Sequence, residues 1–187
     1  MQNNYLKYAG SFLFIGAVQF LIFLIVAEAV YPGYSISENM ISDLGVGISA
    51  KIFNSSVILF GAFVALAAYY LFKEYDDKIF FLVLAIAGLG AIGVGFFPET
   101  TGIPHFVSAL LAFLFGATGA IYSKNKVNGP LSVFCIILGV ISFIALILTI
   151  FNIYLGIGPG GMERMIVYPI LAWCLVFSGF LFLKTRK

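Results

Sequence analysis

Residues Lys73 to Phe97 read KEYDDKIFFLVLAIAGLGAIGVGFF, a short charged turn followed by nineteen residues without a charge. At about 1.5 Å of rise per helical residue, such a stretch just crosses the roughly 30 Å hydrocarbon core of a bilayer. Working outward from it, mainly apolar windows of similar length recur at roughly 8–31, 52–72, 79–97, 104–123, 131–155 and 165–183. The 187 residues are 62% hydrophobic and only 10% charged, with a mean hydropathy of +1.10, too little polar surface to cover a water-soluble globule. The expected fold is an all-α integral membrane protein: a six-transmembrane-helix antiparallel bundle, one transmembrane domain over residues 1–187.

Charge divides the loops unequally. Lys7, Lys73, Lys78, Lys124, Lys126, Lys184, Arg186 and Lys187 fall on one side of the six-span pattern, and only Lys51 and Arg164 fall opposite. Lys and Arg accumulate in cytoplasmic loops, so the pattern predicts a multi-pass protein of the cell membrane with both termini cytoplasmic and the first, third and fifth loops outside. Lys7, the apolar stretch after it and Ala27-Glu28-Ala29 imitate a signal peptide. The stretch from Tyr8 to Val26 exceeds the roughly 7 to 15 apolar residues of a signal core, and a retained helix is expected. A net charge of +2, with no basic run interleaved with aromatic residues, argues against nucleic acid as a partner. Cys135 and Cys174 lie inside predicted helices at different depths, which makes a disulfide between them geometrically unfavourable.

The inner loops read as solvated turns and receive no function. The outer loops differ in kind. In the first, Ile36, Met40 and Leu44 recur at helical spacing before Gly45 and Gly47, which predicts a short interfacial helix capped by Ser35 or Ser37. Asp43 then lies on its apolar face, where a carboxylate needs a partner. The third loop, Phe97 to His105, is tight and bounded by prolines, and the fifth, Gly156 to Arg164, reads as a flexible glycine-rich turn. Ala87, Ala91 and Gly95 in the third helix, and Ser108, Ala112, Gly116 and Ala120 in the fourth, repeat every four residues, so these helices are expected to pack as a close hairpin. His105 falls on or beside that packing face, and Glu28 points inward near the outer end of the first helix. Gln19 faces the other way.

Ionisable groups at the lipid boundary are costly unless paired, so Ser42, Asp43, Glu99, His105, Glu163 and Arg164 form the candidate ligand-binding set, with Glu28 and Asn39 behind them. In one reading Arg164 is a fixed cation for a phosphate or carboxylate, while Asp43 or Glu99 and His105 exchange protons. In the other, Asp43 and Arg164 form a salt bridge that latches the first outer loop onto the sixth helix, and His105 bonds a neighbouring carbonyl. Metals and cofactors are not expected. One histidine is a poor donor set for zinc, Asp43, Glu99 and Glu163 are a weaker oxygen set for Ca or Mg, and haem would need His105 with Met40 or Met162. Ser42 as a hydrolase nucleophile would have His105 as its only histidine base. The abundant Phe and Tyr residues read as lipid-facing bulk and interface belts.

Tyr31-Pro32 closing the first helix, Ser42-Asp43-Leu44-Gly45, Gly95-Phe96-Phe97-Pro98-Glu99 followed by His105, and Gly161-Met162-Glu163-Arg164 together resemble the family called domain of unknown function 998. The resemblance covers nearly the whole chain. It implies a six-span membrane protein of prokaryotic or archaeal type, distantly like the eukaryotic Frag1/DRAM/Sfk1 group, and marks Ser42-Asp43, Pro98, His105 and Glu163-Arg164 without implying an activity. The expected function is therefore an extracytoplasmic polar site binding an anionic lipid head group or small ligand. The alternatives are a membrane enzyme acting on a lipid head group and a small accessory subunit of a larger membrane complex. Expected partners are membrane lipids, with a second copy or a membrane-complex partner also open.

Overall fold

The computed structural model describes residues 4–185, so the predicted inner charges Arg186 and Lys187 lie outside the described residues. It contains six long helices: α1 (Tyr5–Val30), α2 (Ala50–Tyr75), α3 (Lys78–Phe96), α4 (Ile103–Tyr122), α5 (Pro130–Ile150) and α6 (Gly158–Lys184). Each is long and apolar enough to cross a membrane. Large apolar side chains such as Ile25, Leu59, Leu89, Phe106 and Ile144 are exposed along the outside of the bundle, a surface stable in lipid and untenable in water. Helices adjacent in sequence pack side by side, α6 closes back on α1, and α6 also touches α4 across the bundle. The three loops after α1, α3 and α5 share one end, called here the site face.

Helix ends follow local chemistry. Asp77 caps α3 by accepting from the Phe80 N–H at 3.0 Å, and prolines occupy the first turn of α4, α5 and α6, where a missing N–H costs nothing. The apolar window that predicts a fifth helix to residue 155 overshoots, because hydropathy is blind to Asn152. With φ of 56° it takes the left-handed position after the helix, the Asn152 N–H donates to the Thr149 carbonyl at 3.0 Å, and the Ile153 N–H donates to Leu148 at 2.8 Å. This pair of bonds is a Schellman stop. Conversely α6 begins at Gly158, well before the predicted 165. The loop after α1 holds 3₁₀ turns at Ser42–Gly45 and Gly47–Ser49 instead of the one continuous interfacial helix that the spacing predicts. Ser35 does accept from the Glu38 N–H at 3.4 Å, closing the turn before them.

The α3–α4 hairpin forms, yet through other residues than the four-residue repeats indicate. A side chain at Gly90 would strike the backbone of Ala112, and one at Gly93 would strike Ser108, so Gly90 and Gly93 make the close approach. Ala87 and Ala91 instead line an internal cavity of about 70 Å³, together with Ala109, Ala112 and Gly116 of α4. Small residues on two facing helices leave space wherever no third helix fills it. At the opposite end the bundle is stapled by Asp77, which receives Lys126 Nζ at 2.6 Å and the Tyr122 hydroxyl at 3.1 Å. Burial pushes the Asp77 carboxyl up, but the bonds from Lys126, Phe80 and Tyr122 outweigh it and hold it below the usual carboxylate range.

Candidate functional site

The first two turns of α6 run beneath the loop after α1, at a distance only glycine permits. A Cβ on Gly160 would overlap the carbonyl oxygens of Asn39 and Ile36, and the Gly160 N–H donates to the Ser37 carbonyl at 2.9 Å. Gly158 sits at φ of 75° with its α-carbon against Ser37. The glycine-rich turn is thus helical and tightly covered. One turn further along, Arg164 reaches up into the loop. Its Nη1 donates to the carbonyls of Ile36 at 3.0 Å, Asn39 at 3.3 Å and Gly160 at 2.9 Å, and its Nη2 to Glu28 Oε1 at 2.6 Å and the Tyr34 hydroxyl at 2.7 Å. Only Nε lacks a partner among the described residues. Tyr34 passes its own proton to the Met40 carbonyl at 3.1 Å, and burial pushes its hydroxyl up to about 12 despite Arg164 beside it. Arg164 therefore pairs with Glu28, not Asp43. It is turned into the chain, where the guanidinium fork organises five oxygens at once.

Asp43 is held within its own loop. Its Oδ2 accepts from Asn39 Nδ2 and from the Met40 N–H, each at 3.0 Å. Across from it stands Glu99 of the third loop, and the two line an open groove with Tyr31, Val46 and Thr100. Although Glu99 is exposed over much of its surface, burial of its carboxyl end, a hydrogen bond to Asp43 and the charges of Asp43 and Glu163 push it up to about 7. The neighbouring Asp43 thus favours a protonated Glu99. Between the ordinary carboxylate range and about pH 7, folded protein keeps a proton that the unfolded chain releases. Rising pH then favours the unfolded chain. Thermal stability is expected to fall between about pH 5 and pH 8, and Glu99→Gln to flatten that fall while raising stability at the alkaline end. An unchanged slope in Glu99→Gln melts would exclude this pair as its source.

Glu163, Ser42 and His105 meet beneath these loops. Glu163 is 6% exposed, and its Oε2 accepts the backbone N–H groups of Ile41 and Ser42, which fixes the loop over the end of α6. His105, 9% exposed, has Nδ1 2.7 Å from the Phe97 carbonyl. A carbonyl only accepts, so Nδ1 carries a proton, and in the neutral ring Nε2 is then the acceptor. All three residues line the cavity, whose remaining wall is apolar: Phe20, Phe53, Phe60, Phe113 and Trp173 besides the alanines. Among the described residues, the Ser42 hydroxyl, His105 Nε2 and Glu163 Oε1 have no hydrogen-bond partner. No three His, Cys, Asp or Glu side chains among the described residues gather as a metal would require, Asp43, Glu99 and Glu163 included.

The candidate residues thus separate into a latch (Arg164, Glu28, Tyr34), a loop pair (Asp43, Glu99, steadied by Asn39) and a cavity roof (Ser42, His105, Glu163). Tyr34, Gly158 and Gly160 carry no charge signal in the sequence, and the cavity-lining alanines have only their small size. Over residues 14–179 the sequence matches the family described as Protein of unknown function (DUF998). Neither a curated protein nor a solved structure matches it.

Proposed function

Because the chain belongs to the DUF998 family, whose description assigns no activity, we propose a function from the site itself: an amphiphile binds within the membrane, its polar head at the roof and the carbons next to the head in the cavity. The observation that carries this is an apolar cavity ending at three buried polar side chains with unused hydrogen-bonding atoms. The sealed, unpartnered atoms among the described residues are Gln19 Oε1, Asn54 Oδ1 and Arg164 Nε, so the three roof atoms are not sealed off, and a ligand head at the roof can hydrogen-bond to them. At about 70 Å³ the cavity is several times the roughly 10–15 Å³ that one water needs and below the roughly 150 Å³ that takes benzene, so it seats the carbons next to a head group and not a whole chain. An anionic head bound by Arg164 is not favoured, since Arg164 already serves Glu28, Tyr34 and three carbonyls.

The described cations Lys7, Lys73, Lys78, Lys124, Lys126 and Lys184 gather at the end away from the site, which supports a roof facing outward and termini facing the cytoplasm. A membrane-impermeant maleimide is expected to label Glu38→Cys in intact cells, since Cys135 and Cys174 are buried; labelling only after lysis would reverse the orientation. The binding site is tested by filling it. Ala91→Leu projects a larger side chain into the cavity, and native mass spectrometry should show a retained amphiphile in the wild type and none in the variant. Thermal stability should hold or rise. A wild type that carries nothing, or a variant that retains the same molecule, would remove the proposal.

A further inference from the structure

The site face carries five acidic side chains, Glu28, Glu38, Asp43, Glu99 and Glu163, against two cations, Lys51 and Arg164. Arg164 is committed to Glu28 through the 2.6 Å contact, and the charge of Glu28 offsets its attraction for the neighbouring Glu163. Lys51 is exposed on the first turn of α2 and does not line the cavity. Glu163 is consequently a buried carboxyl at the roof of an apolar space, with one oxygen held by two backbone N–H groups and the other unpartnered. Asp43 and Glu99 lie just above. A buried carboxylate of this kind costs free energy until a counter-charge reaches it.

We infer that the cavity accepts a cationic amphiphile, an ammonium-type head set against Glu163 and Ser42 with the carbons next to it below; this rests on the cavity-binding reading above. Two features beyond the acidic cluster point the same way. The wall beneath the roof is aromatic, with Phe20, Phe53, Phe60, Phe113 and Trp173, and aromatic faces attract organic cations that carry little hydration. His105 lines the cavity with Nδ1 donating to Phe97, so its neutral ring offers Nε2 as an acceptor to a positive or hydrogen-donating head. A sulfate or phosphate head would meet acidic side chains and a hydroxyl.

Trp173 is the single tryptophan of the chain, lines the cavity and is 1% exposed, so its fluorescence reports occupancy. The test uses three chain-brominated dodecyl compounds, bearing trimethylammonium, hydroxyl or sulfate heads, titrated into protein in nanodiscs of unbrominated zwitterionic lipid. Bromine quenches only at close range. The ammonium compound is expected to quench Trp173 at least tenfold more tightly than the alcohol, and the sulfate more weakly than either. Glu163→Gln should remove the preference, so that the ammonium compound binds no more tightly than the alcohol does to the same variant, with a cooperative thermal melt certifying that the variant is folded. If that variant does not fold, the wild-type head-group series decides, with Ala91→Leu as the blocked control. Equal or tighter binding of the alcohol in wild type overturns the cationic preference and leaves the cavity-binding reading standing. Absence of quenching by all three overturns both.

Discussion

Arg164→Ala is expected to destabilise the folded protein by about 3–5 kcal/mol, the range for removing one partner of a buried ion pair. Arg164 is 5% exposed, and its guanidinium donates to Glu28, Tyr34 and three carbonyls drawn from α1, the loop after it and α6. Removing it leaves Glu28 as a largely buried carboxylate without a counter-charge, and strips the carbonyls of Ile36 and Asn39 of the donor that holds the loop down. Arg164→Lys should recover little, because a point ammonium has three donors and no planar fork to span acceptors on both sides. A double change to Glu28→Leu with Arg164→Leu should recover more of the loss than either single change allows, since the unpaired charge disappears. Thermal melts of detergent-solubilised protein make the comparison. An Arg164→Ala protein within about 1 kcal/mol of wild type would mean that the latch is not what holds the loop.

How far such a site is legible in sequence depends on which physical signal defines each part. The six helices announce themselves because a bilayer demands that every spanning backbone group be satisfied internally, which leaves helices of fixed length and uniform apolarity. The gathering of Glu28, Asp43, Glu99, His105, Glu163 and Arg164 at one end follows from topology alone. Their pairing does not. Asp43 and Glu28 are equally plausible partners for Arg164 until the loop geometry is known, and the loop does not keep the helical phase that Ile36, Met40 and Leu44 suggest. Phase also decides the α3 stripe: Gly90 and Gly93 face α4, whereas Ala87 and Ala91 face inward, and the same smallness that lets helices touch there opens a cavity here. The roof of that cavity combines a loop residue, Ser42, with the first turns of two helices, so no local window contains it.

Glycine is the residue whose meaning sequence leaves most open, and Gly160→Ala is the second large effect expected, about 3 kcal/mol or more. Overpacking typically costs about 1–3 kcal/mol where side chains can move aside. At Gly160 the new methyl group would overlap two backbone carbonyls, those of Ile36 and Asn39, and neither can rotate away without lifting the loop. Lifting it breaks the bond from Gly160 N–H to Ser37 and withdraws the Arg164 acceptors. It also pulls the Ile41 and Ser42 N–H groups off Glu163, so the cavity roof is lost with the latch. Gly161 provides the control. The nearest atoms to a Cβ there all belong to the Ile157 side chain, from about 3.0 Å, and Ile157, 41% exposed just before α6, has to give by only a few tenths of an ångström. Replacing a mid-helix glycine by alanine recovers about 0.5–1 kcal/mol of backbone entropy, which offsets that small adjustment. Gly161→Ala should therefore melt close to wild type and quench Trp173 with the brominated ammonium compound as wild type does, while Gly160→Ala should lose both. If the two adjacent substitutions behave alike, flexibility and not close approach explains the glycines, and the loop does not rest on α6 as described.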